Sequence, residues 1–173
     1  MAGASLTITA NDAPVVAVLR ELAAAIAHPK RILANIGRSL RTSTLERFRT
    51  ETDPDGEAWI PSIRRREGSP RPTLTLSSRL RDSIATKATD REVRIGTNVR
   101  YGAIHQFGGT IKPKSAKALQ FTLPNGRWVT AQSVTIPARP FLGVSADDRA
   151  EIIAIVRDAV ARATAAGSGG RPA

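Results

Sequence analysis

The amino-acid sequence predicts an α+β fold, in which N-terminal helices and a C-terminal helix pack on a small antiparallel sheet that includes a β-hairpin. Three observations predict this class. Apolar residues recur at helical spacing in the first 50 residues, alternating residues flank an Asn-Gly pair at 125–126, and a capped apolar segment follows residue 145. Helical patterns that enclose alternating segments are typical of helices segregated against an antiparallel sheet.

Two helices are predicted first, over Asn11–Ala27 and Lys30–Thr50. Pro29 separates them and can open the second, because a missing N–H costs nothing at the first helical position. The arginines of the second helix fall largely off its apolar face: Arg31, Arg38, Arg41, Arg47 and Arg49. We interpret it as a core helix with a solvated side. A basic amphipathic helix can also lie on a membrane or on a phosphate backbone.

Residues 51–73 form a long basic loop, which we call the basic arm. Its prolines and glycines predict no regular structure, and its charge is concentrated in Arg64, Arg65, Arg66 and Arg71. At about 20 residues it is longer than compact domains usually tolerate. We interpret it as an interaction arm, and the alternative is a plain disordered loop.

Short elements follow the basic arm. Ser77 or Ser78 is predicted to cap a short helix, and Glu92–Gly96 alternates as a half-buried strand does. Apolar residues spaced by four predict another short helix over Val99–Phe107, ended by two glycines.

The hairpin is the clearest local signal in the chain. Asn125-Gly126 predicts a two-residue type I′ turn, which places Leu123 opposite Trp128 and makes one face of the hairpin apolar.

The C-terminal third ends in a helix. Residues 137–140 are predicted to be extended, and Ser145 with Asp148 makes an acidic variant of a capping box before the last apolar pattern. We predict a single domain over residues 1–165 and a disordered Gly/Ser tail over 166–173.

Composition narrows the function classes. Twenty-six Lys and Arg against 15 Asp and Glu leave a net charge of +11, which attracts polyanions such as nucleic acid. There is no Cys, so disulfides and thiolate metal sites are excluded, and two His are too few for a histidine metal cluster. No apolar run approaches the roughly 20 residues of a membrane span. We expect no membrane association and no cofactor.

An enzymatic site has little support. His105 is the only histidine in a predicted ordered site, and no Asp or Glu follows it within ten residues. No nucleophile-elbow, zinc-protease or phosphate-loop motif is present. We therefore predict no catalytic, cofactor-binding or metal-binding residues and interpret His105 as structural.

Two segments carry a resemblance to a known family. Residues 101–109 read YGAIHQFGG and residues 136–143 read IPARPFLG. Both motifs, in this order, resemble the phage virion morphogenesis family, which includes the Mu G-like proteins and the P2-type tail completion proteins. Weaker echoes are Gly56-x-x-Trp59 and Leu76–Ile84, where Ser77-Ser78 stands in place of the Thr-Gly pair of many members. The four elements cover roughly residues 56–155.

The resemblance implies an assembly role without catalysis. It implies a subunit of a ring at the head–tail junction of a virion, with a hexamer as the natural symmetry and with tail-tube and connector proteins as partners. Such a protein is assembled in the host cytoplasm and resides in the neck or tail. The basic arm would then face packaged DNA in the lumen or an acidic neighbouring protein.

The motifs also have a physical interpretation. Gly108 and Gly109 permit positive φ, while Pro137 and Pro140 stiffen the chain around Arg139, whose planar guanidinium can bind a carboxylate or main-chain carbonyls. Arg139 could brace its loop to Tyr101–Gly109 or contact the next subunit. We predict that Trp59, Phe107 and Phe141 belong to the core, and the alternative is an interface with a partner. A structural role is assigned to Tyr101, Ile104, His105, Gln106, Gly108, Gly109, Pro137, Arg139, Pro140 and Phe141.

Two other function classes stay open. The net charge is compatible with a free nucleic-acid-binding protein, although no helix-turn-helix or aromatic platform is recognisable. A hydrolase or toxin that uses His105 is the third hypothesis.

Overall fold

A computed structural model describes residues 6–7 and 29–168, with side chains described from 29 to 162. The predicted helix Asn11–Ala27 lies outside these residues. Five helices are described: α1 Pro29–Thr50, α2 Ile63–Arg66, α3 Arg79–Asp82, α4 Gly102–Phe107 and α5 Ala146–Ser168. The strands are β1 Leu6–Thr7, β2 Ala85–Ala88, β3 Val93–Thr97, β4 Gly109–Ile111, β5 Leu119–Thr122, β6 Trp128–Ala131 and β7 Val134–Ile136. Helices with small antiparallel sheets confirm the predicted α+β class.

The described residues form two compact units. One unit, which we call the helix unit, comprises residues 29–43, 85–96 and 144–168. The other comprises residues 44–84 and 97–143 and holds both motifs, so we call it the motif unit. The prediction of one domain over residues 1–165 stays a prediction.

The core of the helix unit is aliphatic. Its buried members come from α1 and α5: Ile32, Leu33, Ile36, Leu40, Ile152 and Val156. The α1 residues among them recur at 3–4 spacing, which confirms the predicted amphipathic helix. A Cβ on Gly37 would lie 2.8 Å from Val93 Cγ2, so the absence of a side chain lets α1 approach the β2–β3 pair closely.

The strand predicted at Glu92–Gly96 is β3, which pairs with β2 in an antiparallel register from Ala85↔Gly96 to Ala88↔Val93. The two belong to a three-stranded sheet in the order β1-β3-β2. Strand β2 had little sequence signal, because only one of its four residues, Thr86, is β-branched, and alanine and lysine are depleted in strands.

The start of α5 is the predicted capping box. The Asp148 backbone N–H donates to Ser145 Oγ at 3.0 Å, and the Ser145 N–H donates to Asp148 Oδ2 at 2.9 Å. The helix continues through Ser168, three residues into the tail that the sequence predicts to be disordered. Ala165 and Ala166 explain this, since alanine is the strongest helix former.

The predicted hairpin is present as β5–β6, but its register differs by one residue. Thr122 pairs with Trp128 and Phe121 with Val129. The turn has three residues rather than two, because the Leu123 N–H bonds to the Arg127 carbonyl and Gly126 adopts φ 82°. A three-residue loop that ends in a left-handed glycine is a common alternative to the type I′ turn.

The register shift moves Trp128 to the opposite face. Its side chain is 63% exposed, while Phe121 and Val129 are partly buried. One face of the hairpin is therefore apolar, as predicted, but Trp128 does not belong to it.

Candidate functional site

The second motif forms a segment without regular structure, Pro137–Gly143, and most of its bonded peptide groups are held by side chains and not by a neighbouring strand. The Gln106 amide makes three of these bonds. Its Oε1 accepts from the backbone N–H groups of Phe141 and Leu142, both at 3.0 Å, and its Nε2 donates to the Leu142 carbonyl at 2.9 Å. One amide thus satisfies three buried backbone groups that would otherwise be costly to bury.

Two further side chains complete this bonding. Trp59 Nε1 donates to the Pro140 carbonyl at 2.9 Å. Arg47 Nη1 donates to the carbonyls of Phe141 and Gly143 at 3.2 and 3.0 Å. Arg47 is buried, so its predicted place on the solvated side of α1 is wrong. The sequence did indicate this burial, because residue 47 lies seven residues after Leu40 and therefore on the same face of the helix.

An aromatic cluster lies beneath the segment. The Phe48 ring packs edge-on against Trp59 at 5.6 Å and tilted against Phe141 at 5.3 Å. Trp59 and Phe141 are buried as predicted. Phe107 is 63% exposed, so its prediction as a core residue is wrong.

The error at Phe107 has a clear cause. Helix α4 begins only at Gly102, and its buried residues are Gly102 and Gln106. The apolar spacing of Val99 and Phe107 therefore indicated the wrong helical face, because the inner face of α4 carries a glycine and a polar amide. Hydrophobic periodicity cannot detect such a face.

Two glycines allow α4 to approach its surroundings. A Cβ on Gly102 would lie 2.8 Å from Thr97 Cγ2. Gly108 ends the helix at φ 69°, and a Cβ there would lie 2.8 Å from the Ala138 backbone nitrogen. The glycine that follows the helix thus permits both the positive φ and the close contact with the second motif.

Arg139 connects the second motif to the basic arm. Its Nε donates to the Ile60 carbonyl at 2.6 Å, while its backbone N–H donates to the His105 carbonyl at 2.6 Å. The side chain is 6% exposed. Burial lowers the pKa of the guanidinium, and the nearby charge of Arg66 lowers it further. The guanidinium thus bonds to Ile60, and only the backbone of Arg139 bonds to the first motif. The choice between a brace and a contact to the next subunit stays a prediction.

Tyr101 directly precedes α4, and His105 is a half-buried residue of that helix. Their rings meet edge-on at 5.9 Å, and Tyr101 is 41% exposed. Burial lowers the pKa of His105, and the charge of Arg139 lowers it further, so both effects favour the neutral ring. Within residues 29–162, His105 Nδ1 has no hydrogen-bond partner. Ile104 is partly buried and lies under Gly109.

The basic arm is more ordered than its composition predicts. One helical turn, α2, begins after Ser62, whose Oγ accepts from the Arg65 N–H at 3.2 Å. The Glu51 carboxylate accepts from the Thr73 N–H at 2.9 Å and from Arg65 Nε at 3.1 Å. Burial alone would raise the pKa of Glu51, but the bonds from Thr73 and Arg65 outweigh it and lower the pKa. The prediction that this loop has no regular structure is therefore wrong at 63–66.

The four arginines of the basic arm differ in their surroundings. Arg65 is paired with Glu51, and Arg71 Nη1 donates to the Leu76 carbonyl at 2.9 Å. Arg64 and Arg66 are exposed, and within the part of the chain with described side chains their guanidinium groups make no hydrogen bond or ion pair. These two guanidinium groups are available to a partner.

A cleft of about 300 Å³ lies between the basic arm and α4. Arg64 and Arg71 line one side, Leu76 and Leu80 line its apolar part, and His105 closes it. Among the residues with described side chains, no group of three or more His, Cys, Asp or Glu could hold a metal ion.

The sequence matches the phage virion morphogenesis family over residues 10–161. The chain is 32% identical over 148 residues to Mu-like prophage FluMu G protein 2 of Haemophilus influenzae, which covers 86% of this chain and 90% of that protein. It is 27% identical over 123 residues to tail completion protein S of Escherichia phage P2, covering 69% and 75%. It is 34% identical over 133 residues to putative capsid assembly protein G of Escherichia phage Mu, covering 72% and 75%.

No solved structure matches the chain. The resemblance stated from the two motifs is confirmed, and the chain belongs to the phage virion morphogenesis family.

Proposed function

We propose that the protein is a structural, non-enzymatic subunit of the phage neck, which completes or terminates the tail or joins it to the head. The observation that carries this proposal is its family membership over residues 10–161. Relatives named as a tail completion protein and as a putative capsid assembly protein support it. On this proposal the protein is assembled in the host cytoplasm and resides in the virion.

The arrangement of the motif residues supports a structural role. Gln106, Trp59 and Arg47 all bond to the Pro137–Gly143 backbone, so the polar groups of the site are occupied in holding one loop in shape. A loop held by several buried side-chain bonds is suited to presenting a rigid surface to a neighbour. Partners on this proposal are further copies in a closed ring, a hexamer by symmetry with a tail tube, together with tail-tube and connector proteins.

The experiment that tests the function removes the gene from the phage and examines the particles by electron microscopy. We expect separate filled heads and tails, and we expect the wild-type gene supplied in trans to restore joined particles. Infectious, joined virions in the absence of the gene would refute the proposal. Mass photometry of the purified protein, alone and with tail tubes, tests the ring, and a monomer under both conditions would exclude it.

His105 provides the test against an enzyme. His105→Gln keeps a neutral polar side chain but removes the imidazole. We expect this variant to restore particles as the wild type does. Failure of this variant to restore joined particles, although the protein keeps its thermal stability and its oligomeric state, would favour the enzyme hypothesis instead.

A second candidate function is sequence-independent nucleic-acid binding, in particular to packaged DNA in a ring lumen. The net charge of +11 and the exposed guanidinium groups of Arg64 and Arg66 favour it. Binding to phosphates alone falls steeply as salt rises. Fluorescence anisotropy with one DNA duplex at about 50 and 200 mM salt tests this function. Binding to phosphates alone is expected to weaken severely between these two salt concentrations, whereas sequence-selective binding survives the higher one.

A further inference from the structure

The cleft between the basic arm and α4, which we call the arginine cleft, joins apolar and cationic groups within the motif unit. Leu80 is 1% exposed and forms part of its buried floor. Arg64 and Arg71 line its side, and none of the described residues that line it is acidic. Arg71 donates to a main-chain carbonyl, which leaves its positive charge without a carboxylate there. A cleft of this kind has a positive potential over an apolar floor.

Leu76 is held at the cleft in an exposed position. Its side chain is 54% exposed, and the Arg71 guanidinium fixes its carbonyl. The neighbouring Leu74 and Ser78 adopt positive φ values of 65° and 55°. Residues with side chains rarely adopt this conformation, and it persists only where the surrounding structure imposes it.

The bonds that impose this conformation are visible. Thr75 Oγ1 donates to the Pro72 carbonyl at 2.6 Å, and the Ser78 N–H donates to the Thr75 carbonyl at 3.2 Å. The segment therefore presents an apolar side chain in a fixed geometry although that side chain adds little to the core. Fixing a contact residue before binding reduces the entropy that binding costs.

We propose that the arginine cleft binds an acidic segment of a neighbouring virion protein. An apolar side chain of that segment would pack against Leu76 and Leu80, and its carboxylates would contact Arg64 and Arg71. The identity of the partner as a virion protein rests on the proposed function, whereas the chemistry of the segment rests on the cleft. Charge complementarity favours an acidic peptide, and the exposed leucine distinguishes it from a nucleic acid, whose phosphates would use the arginines alone.

The test is a titration of the ¹⁵N-labelled full-length protein followed by NMR chemical shifts. The probe is a capped synthetic hexapeptide, acetyl-Asp-Leu-Asp-Glu-Leu-Asp-amide. Two control peptides replace either its leucines by serine or its acidic residues by their amides, and a DNA duplex serves as a polyanion without apolar groups. We expect saturable shifts at the cleft with the first peptide and at least about tenfold weaker binding of both controls, since each loses a class of contact worth a tenfold change or more.

Three variants complete the test. Arg64→Gln and Leu76→Ser alter exposed cleft residues, so both are expected to fold and to bind the peptide about tenfold more weakly. Arg91→Gln makes the same charge change at an exposed turn of the helix unit and is expected to leave binding unchanged. The proposal is overturned by the absence of saturable shifts up to millimolar peptide, by an equal effect of Arg91→Gln, or by equal binding of the leucine-free peptide or the duplex.

Failure here is separable from failure of the proposed function. Unjoined particles in the gene deletion together with no peptide binding would refute only the cleft proposal. Joined particles in the deletion together with selective peptide binding would refute the neck assignment and, with it, the identity of the partner as a virion protein, while the chemistry of the bound segment would stand.

Discussion

Replacing Gln106 by leucine removes the amide that bonds the second motif. Gln106 is 6% exposed, and the substitution leaves the N–H groups of Phe141 and Leu142 and the carbonyl of Leu142 without their partner. An unsatisfied buried polar group costs about 1–3 kcal/mol. The added apolar burial of leucine offsets about 1–2 kcal/mol of the sum. For these three groups together we therefore expect the free energy of unfolding of the motif unit to fall by about 4 kcal/mol.

Urea unfolding followed by tryptophan fluorescence measures this change, because Trp59 is buried beside the same segment. Gln106→Glu keeps the acceptor oxygen, and its protonated carboxyl can also donate to the Leu142 carbonyl, whereas the ionised carboxylate cannot donate. The loss of stability is therefore expected to be smaller at a pH where the carboxyl is protonated. Phe107→Leu is the matched control on α4, since its 63% exposure predicts a change within about 0.5 kcal/mol. A loss below about 1 kcal/mol for Gln106→Leu would refute the claim that this amide holds the loop.

Three further predictions concern the same unit. Gly108→Ala is expected to lower the free energy of unfolding by at least about 2 kcal/mol more than Gly56→Ala does. Both glycines have positive φ, but of the two only Gly108 has a backbone atom, Ala138 N, 2.8 Å from the added Cβ. Equal losses of stability in urea unfolding would contradict this close contact. Burial and Arg139 lower the pKa of His105 from 6.5, so its contribution to stability is complete above pH 6.5 and is lost as the pH falls toward the lowered folded value. The thermal midpoint of His105→Gln should accordingly fall less than that of the wild type between about pH 7.5 and 5.5, and parallel curves would show that His105 does not titrate in this way. Glu51 has a lowered pKa, so its contribution to stability is present above pH 4.5 and is lost as the pH falls through the pKa of the folded state. Glu51→Gln should therefore remove this part of the loss of stability in acid. An unchanged dependence of stability on pH below 4.5 in this variant would contradict the prediction.

Local chemistry made several elements predictable. The capping pair Ser145 and Asp148 needs only residues three apart to meet, and it forms as predicted. Helix α1 follows from apolar spacing in the same way. The position of the hairpin was predictable, but its register was not, because the proline before Asn125-Gly126 makes a three-residue loop possible. A change of one residue in register decides which face of the hairpin a side chain occupies.

The candidate site was predictable as a set of residues but not as an arrangement. The two motifs indicated Gln106 and Arg139, yet their bonds run to residues 35 and 79 positions away in the sequence. Arg47 contributes across 94 positions to the Phe141 carbonyl, and no local pattern specifies such a partner. Polar residues that bond a distant backbone leave no periodic signal.

The sequence alone determined the fold class, the extent of α1, the start of α5 and the family, since these depend on the spacing and identity of residues near one another in the chain. Tertiary structure decided the rest. It placed Arg47 inside and Phe107 outside, gave the basic arm a helical turn, and brought Arg64 and Leu76 to one cleft. The physical reason is that burial and hydrogen bonding depend on which backbone approaches a side chain after the chain has folded, and those approaches join residues far apart in sequence.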